Sequence, residues 1–367
     1  MGKAMLRVAL VVAALVVLPL AARADLTLNY DGSLKLPRAS IKDYYARGLA
    51  YVPNGAPRLG ATPVTGPTLL VYYGWGAKTF EYGTLPALST TAAQLAAAST
   101  AVEVSTTSGG TQYAKSKALQ NVDSAGNIWD GVSTTSSLDS AMYSDPGTHK
   151  LGASSLSANY KVQETGWPGG YPRRGAMRLG DGAGGDLPSD GSVNGATFVM
   201  CQQIYSGPTY PIVVHDAVRT SATTVSSTEL YRFDAGFWVA DWQVNYVRDT
   251  SDAEYYMMWK EGGHAGDSFI IDFYDAVTTS GAGVTPTFQL DIGSDISGGA
   301  GWLAAGSKVS FVAVDWPNSQ LYVLEHNGKD ARVHLFTLQG PEAKPVAEPA
   351  GLGLLGLAAL MGRKKRS

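Results

Sequence analysis

The sequence predicts an all-β fold, and three observations carry that expectation. Glycine (43 residues) and tyrosine (19) are abundant, while charged residues make up only 16%. Short β-branched and aromatic runs alternate with Gly, Pro, Asn, Asp and Ser clusters, the punctuation of strands joined by tight turns. Between the two ends, only the short alanine-rich stretch Thr91 to Ala98 has helical composition. No Pro-rich linker divides the chain, so residues 25–340 are expected to form one domain.

The strand signals recur in units. The first reads Gly48 to Gly55, then Leu69 to Tyr73, a Gly-Trp-Gly turn, and Thr79 to Tyr82. A remnant follows at Val122-Asp123-Ser124-Ala125-Gly126-Asn127-Ile128-Trp129, and a partial unit at Ala196 to Cys201 with Tyr210 to His215. Another combines Ala240 to Tyr246, Glu254 to Trp259, a Gly262-Gly263 turn and Phe269 to Tyr274. The clearest comes last: Val309 to Trp316, a Pro-Asn-Ser turn, Leu321 to Glu325, Asn327-Gly328, and Val333 to Leu338. Asn-Gly between apolar runs is a strong hairpin signal. Within this unit the alternation predicts burial of Val312, Val314, Leu321 and Val323, with Tyr322 and Leu324 covered on the opposite side.

An apolar strand, a turn, a second apolar strand, a turn and an aromatic strand follow the grammar of a β-propeller blade. At roughly 40–45 residues per blade, a chain of this length would hold about six or seven. The units resemble the blades of secreted propeller proteins, including the kind whose Asp, Gly and Asn turn precedes an aromatic, as Asp123 to Trp129 does. A jelly-roll or concanavalin-like β-sandwich of the lectin or glucanase kind shares the composition, so that alternative stands beside the propeller.

The two ends predict export. Lys3 and Arg7 precede the apolar run Val8 to Leu20, and Ala22-Arg23-Ala24 is a small-x-small cleavage site before Asp25. Residues 1–24 therefore read as a secretory signal peptide, which implies the Sec translocon and signal peptidase as partners. Within residues 341–367, Glu348-Pro349-Ala350 introduces the apolar run to Met361, and Arg363, Lys364, Lys365 and Arg366 follow. Twelve apolar residues make a helix of about 18 Å against a hydrocarbon core of roughly 30 Å, enough to hold a chain at a membrane but a poor span. The four cations stay on the cytoplasmic side and leave the body outside.

This tail resembles the PEP-CTERM sorting signal of Gram-negative bacteria. Only Glu348-Pro349 of the signature is intact, because Ala347 stands where the first proline usually is. The resemblance implies removal of the tail by an exosortase-type transpeptidase. The body would be held briefly at the inner membrane, then reach the cell surface or the extracellular exopolysaccharide.

Charge and cysteine content exclude several classes. The formal charge of the whole chain is −3, and residues 1–24 and 350–367 together carry seven cations and no acid, so the chain between them is more acidic than the total. Such a surface repels phosphate backbones, and no nucleic-acid partner is expected. Cys201 is the only cysteine, which rules out an intrachain disulfide or a cysteine-based zinc site. Its apolar surroundings predict a buried, inert thiol.

No catalytic residue, metal site or cofactor is predicted. His149, His215, His264, His326 and His334 make no His-Glu-x-x-His pair, and neither a Gly-x-Ser-x-Gly elbow nor a Walker loop is present. Asp181, Asp186 and Asp190 lack the spacing of a calcium loop and read as solvated turns. If units are related by rotation, residues after each second strand share one mouth. That places Tyr73, Trp75, Gln202, Gln203, Lys260, Glu261, His264, Glu325 and His326 there, a set suited to a small polar ligand or sugar. Glu261 with His264 and Glu325 with His326 have the composition of acid–base pairs or metal ligands, or simply of wet loops. Trp167 and Tyr171, set between prolines and glycines, are suited to stacking on sugar rings or to covering a sheet edge. The sequence thus predicts an exported, non-enzymatic binding or scaffold protein, with a secreted carbohydrate-binding or carbohydrate-active sandwich protein as the alternative.

Overall fold

The computed structural model describes residues 26–37, 46–58, 60–73, 78–83, 85–98, 102–104, 118–122, 126, 128–132, 141–143, 161–164, 171–179, 196–203, 211–219, 224–235, 237, 244–259, 268–276, 284–304, 307–315, 318–327 and 330–340. The chain is all-β: twenty strands in five sheets, with one six-residue α-helix and one 3-10 turn among the described residues.

β1 (Thr27–Leu36) is the first strand and belongs to the last sheet. The first sheet runs β2 (Ala46–Val52), β3 (Thr68–Tyr73), β4 (Lys78–Tyr82) and β5 (Val102–Val104), and the second β6 (Ala118–Val122), β7 (Ile128–Val132) and β8 (Ala141–Tyr143). β9 (Lys161–Glu164) precedes the four antiparallel strands of the third sheet, β10 (Tyr171–Leu179), β11 (Ala196–Gln203), β12 (Pro211–Arg219) and β13 (Thr224–Asp234). It pairs in parallel with β13 at the far edge. The fourth sheet is β14 (Asn245–Arg248), β15 (Glu254–Trp259), β16 (Ile270–Asp275) and β17 (Phe288–Asp291), followed by helix α1 (Gly293–Gly298). The last is β18 (Lys308–Asp315), β19 (Gln320–His326) and β20 (Ala331–Gln339), with β1 added antiparallel to β20.

The strand signals of the sequence find their places. Val122 ends β6 and Ile128 begins β7, while Asp123 to Ala125 and Asn127 lie outside the described residues; Asn327 begins the β19–β20 turn, its N–H donating to the Asp330 carbonyl. Val312, Leu321, Tyr322, Val323 and Leu324 are all buried, and Val314 is half-buried. The described strands form five sheets. Thr91 to Ala98 is not the expected helix. Only Ala92–Gln94 makes a 3-10 turn, after which the Ala98 N–H donates to the Lys35 carbonyl. Ser89 exchanges backbone hydrogen bonds with Ser33, so this segment covers the outer edge of β1, which would otherwise offer unpaired backbone groups.

Contacts between sheets include a cycle through one strand of each, beside others such as β7 on β10 and β8 on β9. β2 packs on β6, β6 on β10, β10 on β14, β14 on β18, and β18 on β2. Both faces of the last sheet are therefore buried. Leu34, Val333, Tyr322 and Leu324 join Tyr51 and Leu69 in one core, while Leu321, Val323, Val312 and Phe336 join Tyr255, Met257 and Trp259 in a second. The fourth sheet turns its other face, with Tyr256, Met258 and Tyr274, to Ile212 and Phe233 of the third. Double coverage explains why β15 and β19 read as nearly unbroken apolar runs.

Candidate functional site

The most developed polar constellation lies inside the last sheet. Along β20 alternate residues face opposite cores, so Arg332, His334, Phe336 and Leu338 share one face. On β1, Leu28 and Tyr30 lie opposite Leu338 and Phe336, and the register then shifts between Tyr30 and Gly32. The inserted residue, Asp31, moves Ser33 into line with His334. Gly32 takes φ +129° there, and a Cβ on it would press on Leu88 and the Ser89 backbone, so glycine is required.

The polar chain is continuous. The hydroxyls of Tyr30 and Ser33 are 2.7 Å apart, Ser33 Oγ lies 2.5 Å from His334 Nδ1, and His334 Nε2 lies 3.0 Å from Glu325 Oε2. Glu325 Oε1 accepts the Leu303 N–H at 2.9 Å and the Ser307 hydroxyl. Arg332 donates to the carbonyls of Ala300 and Gly301, and the Trp302 ring meets His334 edge-on at 5.7 Å. Gly299 ends α1 so close to Tyr30 that a Cβ would lie 2.2 Å from its ring. One network thus ties β1, β19, β20 and the 299–307 connection together.

Burial acts to raise the Glu325 carboxyl's pKa, but its hydrogen bond and attraction to His334, with the Ser307 and Leu303 bonds, outweigh it and hold it below the ordinary range. An ionised Glu325 can only accept, so Nε2 donates to it; in the neutral imidazole, Nδ1 then accepts from Ser33. Serine, histidine and carboxylate in series have the composition of a nucleophilic relay. Here Ser33, His334 and Glu325 all have 0% exposure, and the Ser33 hydroxyl is already engaged by Tyr30. A nucleophile must reach its substrate; this arrangement is a lock.

The sequence placed Glu325 and His326 at a solvent-facing mouth. They are instead the final residues of β19, both buried, and the Glu325 carboxylate pairs with His334. Neighbours on a strand point to opposite faces, which prevents Glu325 and His326 from acting as a side-by-side pair. Tyr73 ends β3 and Tyr171 begins β10, which separates these two candidates onto different sheets. Trp75, Trp167, Lys260, Glu261 and His264 lie outside the described residues, as do Ala22, Ala24, Asp25 and the tail with Glu348, Pro349, Ala350 and Arg363 to Arg366. Ser33, Ser307, Arg332 and His334 were missed as partners. The available signal was polar residues on one face of the otherwise apolar strand Ala331–Gln339.

Two further carboxylates organise turns. Asp249 Oδ1 accepts the N–H groups of Ser251 (2.7 Å) and Ala253 (3.0 Å), and Oδ2 accepts the Tyr255 hydroxyl. Asp315 lies at the β18–β19 turn, bonded to Asn318 at 2.8 Å; burial pushes its pKa up, against the hydrogen bonds from Asn318 and Tyr51. Among the described residues no group of three or more His, Cys, Asp or Glu side chains is placed to hold a metal ion.

These features define the class: an all-β protein of successive antiparallel sheets whose first and last strands are paired. No protein-family model and no curated protein matches the chain. Among solved structures, the crystal structure of Chaetomium thermophilum Raptor is similar at a TM-score of 0.36 and 8% identity, over 87% of this chain and 29% of that one. The chain spans less than a third of that protein's length, and a likeness this slight bears on neither fold nor function.

Proposed function

We propose that this chain is an exported, non-enzymatic cell-envelope or extracellular-matrix protein, a binding or structural scaffold whose body closes into a propeller-like ring of five blades. The observation carrying the reading is the cycle of contacts through one strand of each sheet, β2 to β6, β10, β14, β18 and back to β2. A sandwich has no reason to produce such a cycle. Pairing of β1 with β20 supports the same view, because a ring is closed when its first strand completes its last blade. Export rests on residues 1–24, and sorting rests on Glu348-Pro349, the apolar segment and the basic end. Signal peptidase and an exosortase-type enzyme are the processing partners, and extracellular polysaccharide is the medium in which the body acts.

Electron microscopy of the processed protein tests the architecture. A ring of five lobes around a channel is expected; two face-packed layers would overturn it. A glycan array with the same material tests the scaffold's ligand class.

A further inference from the structure

We propose that the end of the last sheet where β1 begins and β20 finishes is the face that the unprocessed chain turns toward the membrane, its partner there being a lipid surface. The inference rests on the export reading above and adds an orientation to it. Thr27 pairs with Gln339 in antiparallel register, so the chain enters and leaves the folded body side by side, about 5 Å apart.

Both exit points are fixed. Leu26, one residue before the strand, is buried in the core shared by the fourth and last sheets. At the other exit the Gly340 N–H donates to Thr250 Oγ1 at 3.0 Å, and the Thr250 N–H donates to the Leu338 carbonyl at 3.1 Å. The Asp249 turn sits so close that a Cβ on Gly340 would meet Ser251 Oγ at 2.4 Å.

The tethers beyond these points are short. Seven residues lead from Leu20, the end of the N-terminal apolar run, to Thr27, a reach of at most about 25 Å. Ten lead from Gly340 to Ala350, at most about 35 Å. Two tethers leaving one edge for one membrane fix which way the body faces. The β19–β20 turn, with exposed Asp330, lies at the opposite end of the same strands, about 30 Å farther away. The acidic body has no attraction of its own for anionic lipid, so the tethers set the orientation.

The test uses the full-length chain, with both ends retained, in phosphatidylethanolamine–phosphatidylglycerol vesicles carrying a lipid-attached fluorescence quencher. A fluorophore is placed at Thr27→Cys or at Asp330→Cys, both exposed positions, each in a Cys201→Ser background. Unfolding temperatures matching the parent chain's establish that each variant is folded. Quenching several-fold stronger at position 27 than at 330 is expected. Equal or reversed quenching on chains that float with the vesicles overturns the orientation alone. Chains that fail to float overturn the membrane-directed reading of the ends, and the orientation falls with it.

Discussion

Glu325 accepts from three donors on two segments from within a core, and its loss exposes what that costs. Glu325→Ala leaves His334, the Leu303 N–H and the Ser307 hydroxyl without their acceptor. Leaving buried donors unsatisfied is expected to cost about 1–3 kcal/mol per group, read by urea denaturation. The carboxyl also links stability to pH. Its folded pKa is depressed, so its contribution is complete above the ordinary glutamate range and is lost as pH falls through the lower folded value. The acid limb of a melting-temperature profile is therefore expected to flatten in Glu325→Gln.

Asp315 works in the opposite direction. Burial raises its folded pKa, so the stability linked to its protonation is present at low pH and lost as pH rises through the raised value. Asp315→Asn keeps the shape and removes the charge. Its melting temperature relative to the parent is expected to be more favourable at pH 7 than at pH 4; the reverse order would mean that the ionised form is the better accommodated one.

Among elements, β19 and β20 each place one face in each of two cores. Leu321 is 1% exposed, and Leu321→Ala is expected to cost about 2–5 kcal/mol by chemical denaturation. β1 shows the same dependence through its bulge. Gly32→Ala retains the strand composition but drives a Cβ toward Leu88 and Ser89, and it strains a left-handed backbone. Hydrogen exchange is expected to rise first along Ser33 to Leu36 in that variant, because those amides depend on the shifted register.

For the whole molecule, processing at both ends is the measurable claim. Mass spectrometry of the protein recovered from its native cell is expected to find an N-terminus at Asp25 and no trace of Arg363 to Arg366. Replacing Glu348-Pro349 with Ala-Ala is expected to leave uncleaved precursor at the membrane. A native surface protein that keeps Arg366 would falsify the sorting reading, and Ala347 in place of proline would be the first suspect.

What the sequence determined by itself was local. Asn327-Gly328 selected a hairpin, and the alternation of Leu321 to Leu324 set a register with both faces covered. Charge and apolar length at the two ends, which act through the translocation machinery rather than the fold, carried the expectation of export. Tertiary structure decided everything that depends on distant partners. β1 was not legible as a strand because its alternation breaks at the Asp31 bulge and its partner lies about 300 residues away. Thr91 to Ala98 had helical composition, yet backbone groups of β1 captured that segment as edge cover. Glu325 beside His326 looked like a pair because they are neighbours in sequence. A strand turns neighbours to opposite faces, and only the folded sheet could bring Ser33, His334 and Glu325 into one buried line.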